Sequence, residues 1–177
     1  MLHGKQDLDK DPVAQQSTIL EQVPIIDIAE LRVDSAAPLA RPAVDSIAEA
    51  CGSWGFFQVT NHGISQDLID QVWQQTRGFF GLPIERKMSV LRSRDNPWGF
   101  YHNELTKNQR DKKQVFDFTR EGTDPIYGQS NRWPGQQEAF KLAMQEYFAA
   151  CTQLSLQLLE AFCIGLDLPA KFMHADF

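Results

Sequence analysis

Cysteine is scarce in this chain and does not pair. Cys51, Cys151 and Cys163 make an odd count without CxxC spacing. A single helix holding Cys151 and Cys163 would separate them by ~18 Å, too far for a disulfide. A disulfide scaffold is therefore excluded, and the three read as buried thiols in a reducing compartment. Long apolar runs are missing too: no stretch approaches the ~18 residues that suggest a membrane span. The start, Met1 to Lys10, is polar where a signal peptide needs an apolar core. The expected location is cytoplasmic, with no membrane contact. Basic charge is also short. Lys and Arg total 17 against 23 Asp and Glu, a net charge of −6 and a pI near 5.2, and the cations are scattered, which argues against nucleic acid. The chain has no GxSxG, no P-loop, no GxGxxG after a strand, no HExxH and no Cys-His pair in a sensible setting, so none of those catalytic frameworks is supported.

What remains is a globular composition. Over 177 residues, 42% hydrophobic and 11% aromatic content suffices for one domain with a real core. Residues 1–22 are polar and aperiodic and read as a mobile leader ahead of a domain over 23–177. Val23-Pro24-Ile25-Ile26-Asp27-Ile28 suits a strand opening behind a proline. Pro42, Val44, Ile47, Ala48 and Cys51 fall at helical spacing up to Gly52. Gly55-Phe56-Phe57-Gln58-Val59 reads as a buried strand closed by a structural turn at Asn61-His62-Gly63, where Gly63 supplies backbone freedom. Ser65 can cap a helix whose stripe is Leu68, Ile69, Val72, Trp73, Phe79 and Phe80, stopped by Gly81 and Pro83. A short helix follows from Pro83 to Met88. Gly99-Phe100-Tyr101 and Gln114 to Phe118 are candidate strands, and Gly122 to Gly135 an extended loop. The strongest period runs from Gln136 to Leu166, bounded by Gly165 and Pro169, and predicts one long, deeply packed helix.

Chemistry is harder to place. A non-haem iron site takes two histidines and a carboxylate, and the chain offers only His3, His62, His102 and His174. His174-Ala175-Asp176 is the one HxD. Only Phe177 follows it, so its partner would have to come from His62 or His102, and it reads as a decoy at a polar turn. His62 reads as a turn residue and His102 as an edge residue beside aromatics. Asp111-Lys112-Lys113 and Arg94-Asp95 read as solvated charge.

Taken in order, these segments resemble the amino-terminal region of the iron(II)- and 2-oxoglutarate-dependent dioxygenases of the isopenicillin N synthase type. Val23 to Asp27 is similar to that family's opening strand, Ala50 to Phe57 to its helix-to-strand junction, and Asn61-His62-Gly63-Ile64 to the turn that follows. Phe79 to Lys87 resembles a helix end, Gly99-Phe100-Tyr101 the next strand, and Asp111 to Phe118 the segment after it. Asn131-Arg132-Trp133-Pro134, the long helix and Gly165 to Pro169 complete the pattern.

The resemblance implies an α+β fold, with several helices, one of them long, packed on a small sheet, and with the family's jelly-roll barrel missing or incomplete. It implies Fe(II) and 2-oxoglutarate for a complete member, held by residues beyond Phe177, and assigns no metal role to His174 or Asp176. Arg94, Phe100 and Tyr101 match the region that in some members lines the substrate wall. Two readings follow: a scaffold portion, not catalytic alone, whose partner is a separate chain carrying the barrel, or a stand-alone binding module that has lost the reaction. The first predicts an uncovered apolar patch over some of Phe140, Met144, Phe148, Leu159 and Phe162. A metal-dependent hydrolase built on His102 and His174 is a third, unrelated reading.

Overall fold

The computed structural model describes residues 23–32, 41–103, 105–106 and 108–175; the leader expected over 1–22 lies outside the described residues. The chain divides into two units, Ile64–Ser155 and the flanking segments up to Gly63 and from Leu156.

In the flanking unit, strand β1 (Ile25–Asp27) pairs in parallel with β2 (Gln58–Thr60), Ile26 standing opposite Val59. Parallel neighbours need a crossover. Here it contains a 3₁₀ turn at Ala29–Arg32 and helix α1 (Arg41–Ser53). Helix α1 buries Ala43, Val44, Ile47 and Ala50, a three-to-four-residue spacing that gives it one apolar face, while Ile26, Ile28 and Leu31 are buried in and after β1. The strand expected over 55–59 begins only at Gln58, and Phe56 is 56% exposed. The cause is the end of α1. The N–H groups of Trp54 and Gly55 both donate to Ala50 O, and Gly55 turns the chain at φ 77°, so the backbone has not yet straightened at Phe56.

The other unit opens with α2 (Gln66–Phe80), whose cap residue Ser65 accepts a 3.2 Å hydrogen bond from the N–H of Leu68. Leu68 and Phe79 are buried. Trp73, expected on the same stripe, is 57% exposed, with the Arg77 guanidinium 5.7 Å from its ring centre. A short helix α3 (Ile84–Met88) follows. Strand β3 (Gly99–Tyr101) pairs antiparallel with β6 (Val115–Asp117), and between them lies a small hairpin of β4 (Leu105–Thr106) and β5 (Gln109–Arg110) that has no strong sequence pattern. Helix α4 (Glu138–Gly165) closes the order of elements. The architecture is α+β, with one long helix and two-stranded sheets; no closed barrel occurs among the described residues.

Phe79 is the hub of this unit. It stacks on Phe140 of α4 at 4.9 Å and meets Phe80, Phe100 and Phe116 edge-on at 5.0 to 6.1 Å. Val90 and Met144 complete the buried cluster, and Trp133 packs on Phe116 at 5.7 Å. Gly99 cannot be otherwise. It sits at φ 120°, and a Cβ there would lie 2.3 Å from Val90 O, the acceptor for the Phe100 N–H. Lys87, only 5% exposed, donates to Phe80 O and to Gln114 Oε1, both at 2.8 Å, and so ties the end of α2 to the approach of β6. Each of these buried donors and acceptors would carry a desolvation penalty if left unpaired.

Deleting the hub should be severe. Phe79→Ala is expected to lower unfolding free energy by about 3–5 kcal/mol, from lost transfer energy plus the cavity. Urea unfolding of the chain followed by far-UV circular dichroism checks this, with a much smaller loss expected at exposed Trp73→Ala.

Candidate substrate-wall site

Strand alternation separates two faces of the β3–β6 pair. Phe100 and Phe116 stand opposite each other and belong to the aromatic core, so Phe100 is fully buried and packs inward. Tyr101, Val115 and Asp117 share the opposite face. Onto that face reaches Arg92. Its guanidinium carbon lies 3.5 Å from the Tyr101 ring centre, and Nη1 is 3.2 Å from Asp117 Oδ2. The backbone is fixed as well, because Arg92 N–H donates to Phe100 O at 2.9 Å, while Tyr101 OH donates to Asn103 O at 2.8 Å. Arg94 is exposed in the loop that follows, where Ser93 and Asn96 hydrogen-bond each other. Arg92 is not among the residues that the resemblance marks. The available signal was the apolar pair Val90-Leu91 just before it, which runs beside β3 through a bridge from Leu91 to Phe100.

The long loop after β6 is built around Asp124, which is buried. Its Oδ1 accepts from the N–H groups of Ile126 and Tyr127 at 2.9 and 2.8 Å, and its Oδ2 from Thr119 Oγ1 at 3.3 Å. Ile126 is thereby presented at 82% exposure, and Tyr127 meets Trp98 edge-on at 5.8 Å. Asn131 pins the other end: its carboxamide accepts from Thr119 N–H and donates to Thr119 O, both at 2.8 Å.

The remaining candidates do not converge. Asn61 and Gly63 adopt φ 55° and 83° in the turn that leaves β2, and the Asn61 amide donates to Asp27 Oδ2 at 2.8 Å. His62, half-buried between them, is engaged. His102 stacks on Phe100 at 5.5 Å with Nδ1 buried and unpartnered. His174 belongs to the other unit, its Nε2 3.1 Å from Glu160 Oε1 but out of hydrogen-bond alignment; Asp176 lies outside the described residues. Among the described residues no three His, Cys, Asp or Glu side chains gather as metal ligands, so these residues do not fit the two-histidine, one-carboxylate set that non-haem iron requires. The thiols differ from expectation: Cys163 is buried, Cys151 half-buried and Cys51, in the last turn of α1, exposed. Cys151 raises the Tyr147 hydroxyl above its ordinary pKa by hydrogen bonding, with burial adding to the effect.

Helix α4 is less covered than its periodicity suggests. Phe140 and Met144, expected among the uncovered residues, are instead buried, because Phe79 and Phe116 cover that end. Phe148, Leu159 and Phe162 are half-buried, and Leu142 is exposed. An 18-residue window of the helix has mean hydropathy 1.3 and is 11% buried; by length and composition it is the one described helix that could cross a membrane. Lys141, Glu146 and Glu160 interrupt the helix, so no unbroken apolar run of that length marks it in the sequence.

Residues 23–136 match the family described as "non-haem dioxygenase in morphine synthesis N-terminal". The chain belongs to this family. It is 32% identical to homoarginine-6-hydroxylase 2-ODD-C23.1 of Arabidopsis thaliana over 166 residues, 85% of this chain and 50% of that protein. It is 29% identical to 1-aminocyclopropane-1-carboxylate oxidase of Dictyostelium mucoroides, over 89% of this chain and 46% of that one. Among solved structures, a C-terminally truncated Neurospora crassa protein in its apo form shares the fold with a TM-score of 0.72 at 23% identity, over 87% of this chain and 56% of that one. JOX2, solved with 2OG, Fe and JA, gives 0.63 at 26% identity, over 86% of this chain and 43% of that one. The chain thus spans about half the length of the curated relatives it matches.

Asp124 should govern the order of the loop. Asp124→Ala removes the charged acceptor of the Ile126 and Tyr127 N–H groups and of the Thr119 hydroxyl, and is expected to cost about 1–3 kcal/mol. Limited proteolysis should then cut between Gly122 and Ser130 much faster than in the parent chain.

Proposed function

We propose that this chain is the amino-terminal scaffold and substrate-wall portion of a non-haem Fe(II)/2-oxoglutarate-dependent oxygenase that hydroxylates, desaturates or cyclises a small molecule, and that it is not catalytic alone. The observation that carries this reading is the match to the family's amino-terminal region together with the half-length coverage of relatives that are hydroxylases and oxidases by name. The iron and its keto acid supply the oxidising chemistry in such enzymes, and in this reading their ligands belong to a jelly-roll barrel carried outside these residues. The chain's own residues brace that barrel and shape one side of the substrate space. The half-covered apolar length of α4 supports the assignment, since a face this apolar calls for a partner surface. A barrel half on a separate chain is the partner we assign to it, in a reducing, cytoplasmic setting where Cys51, Cys151 and Cys163 stay as thiols.

An anaerobic Fe(II) titration of the purified chain, with and without 2-oxoglutarate, tests the reading by calorimetry and by the visible band of the ternary complex. No stoichiometric binding is expected. Tight one-to-one binding that disappears in His174→Ala would contradict it, by showing a metal site within the chain.

A further inference from the structure

The feature of the wall face that stability alone does not explain is how completely Arg92 is held. Its backbone N–H is bonded to β3, its guanidinium face rests on Tyr101, and the Tyr101 hydroxyl is itself fixed on Asn103 O. A surface ion pair between two mobile side chains contributes little and needs none of this. A guanidinium carries five N–H donors in a planar fork. Stacking on Tyr101 occupies the face of that fork and leaves its edges open. Among the described residues, the side-chain acceptor for the fork is Asp117, which takes Nη1 at 3.2 Å. Both side chains are about a third exposed, 35% and 41%, so a small ligand can reach them.

We propose that Arg92 is a carboxylate anchor on the substrate wall and that the substrate is a small organic acid with a flat or apolar body. The inference rests on the reading of this face as substrate wall and names the substrate class for it. The free edge of the fork takes the carboxylate in two parallel N–H···O contacts. Tyr101, directly opposite Val115, offers an aromatic and aliphatic surface for the body of the acid. Asp117 holds the fork at the correct angle and at the same time excludes dianions by like-charge repulsion. It is a positioning residue, acting through Arg92.

The test uses the chain as it is, and so does not depend on barrel assembly or iron. The Arg92 Nε–H resonance is followed by NMR as benzoate is added, with benzamide as the uncharged match of the same shape. Benzoate is expected to shift it saturably and benzamide to leave it in place. Arg92→Lys, which keeps the charge and loses the fork, is expected to weaken benzoate binding at least tenfold, read from the Tyr101 ring signals, with the thermal unfolding midpoint showing that the variant is folded. Equal shifts by benzoate and benzamide, undiminished binding in Arg92→Lys, or a preference for 2-oxoglutarate over benzoate would each overturn the assignment. Failure of the scaffold reading would appear instead as iron binding to the chain and would leave these NMR results untouched.

Discussion

Phe79 against Phe140 is the contact on which the central unit depends. One ring comes from the end of α2 and the other from the first turn of α4, about sixty positions later, and the two stack at 4.9 Å. Around them Phe100, Phe116 and Trp133 close a buried aromatic cluster. Aromatic pairs of this kind add roughly 0.5–1.5 kcal/mol each beyond their area burial. Because β3 and β6 are each only three residues long, the pair has few ladder hydrogen bonds of its own; its position comes from Phe100 and Phe116 being locked into the cluster. The outer face of the pair follows from this. Once those two rings point inward, the pleat sends Tyr101, Val115 and Asp117 outward, and Arg92 has a platform to lie on.

Electrostatics is spent sparingly and locally. Lys87 is buried on a carbonyl and an amide, Asp124 is buried on two backbone N–H groups and a hydroxyl, and the half-buried Asn131 bonds both the N–H and the C=O of Thr119. The long loop after β6 is thus held by two polar side chains, Asp124 and Asn131, and the approach to β6 by Lys87. That pattern satisfies backbone polar groups where regular structure is short. It also makes the loops rigid enough to present surface side chains, Ile126 and Tyr127 among them, in fixed positions.

Much of the fold was legible from periodicity. The long helix, the helix capped by Ser65 and the strands at Ile25 and Gly99 rest on spacing and capping rules that hold locally. The strand over 55–59 failed because aromatic composition is a weak witness where a helix end is still unwinding, and the Trp54 and Gly55 bonds to Ala50 O decide that geometry. The small hairpin at 105–110 was invisible because two-residue strands carry no period. Of the residues the resemblance marks, Tyr101 stands on the outer face of β3 and Phe100 in the core, while Arg94 lies exposed in the loop. Arg92 becomes distinctive only through contacts with Asp117 and Tyr101, which are distant in sequence, and no local pattern encodes those.

The cover on α4 is unequal: Phe140 and Met144, in the aromatic core near its start, and Ala161 and Cys163 near its end are buried, while Thr152, Gln153 and Ser155 between them are exposed. Residue-resolved amide hydrogen exchange along α4 in the isolated chain tests most directly whether that core stands without a barrel. Strong protection is expected from Met144 to Phe148 and again around Ala161 and Cys163, with weaker protection in the exposed stretch from Thr152 to Ser155, since local opening is easiest where few apolar contacts hold the helix. Uniform protection along the whole helix would contradict the scaffold account, and so would no protection at Met144 and Phe148.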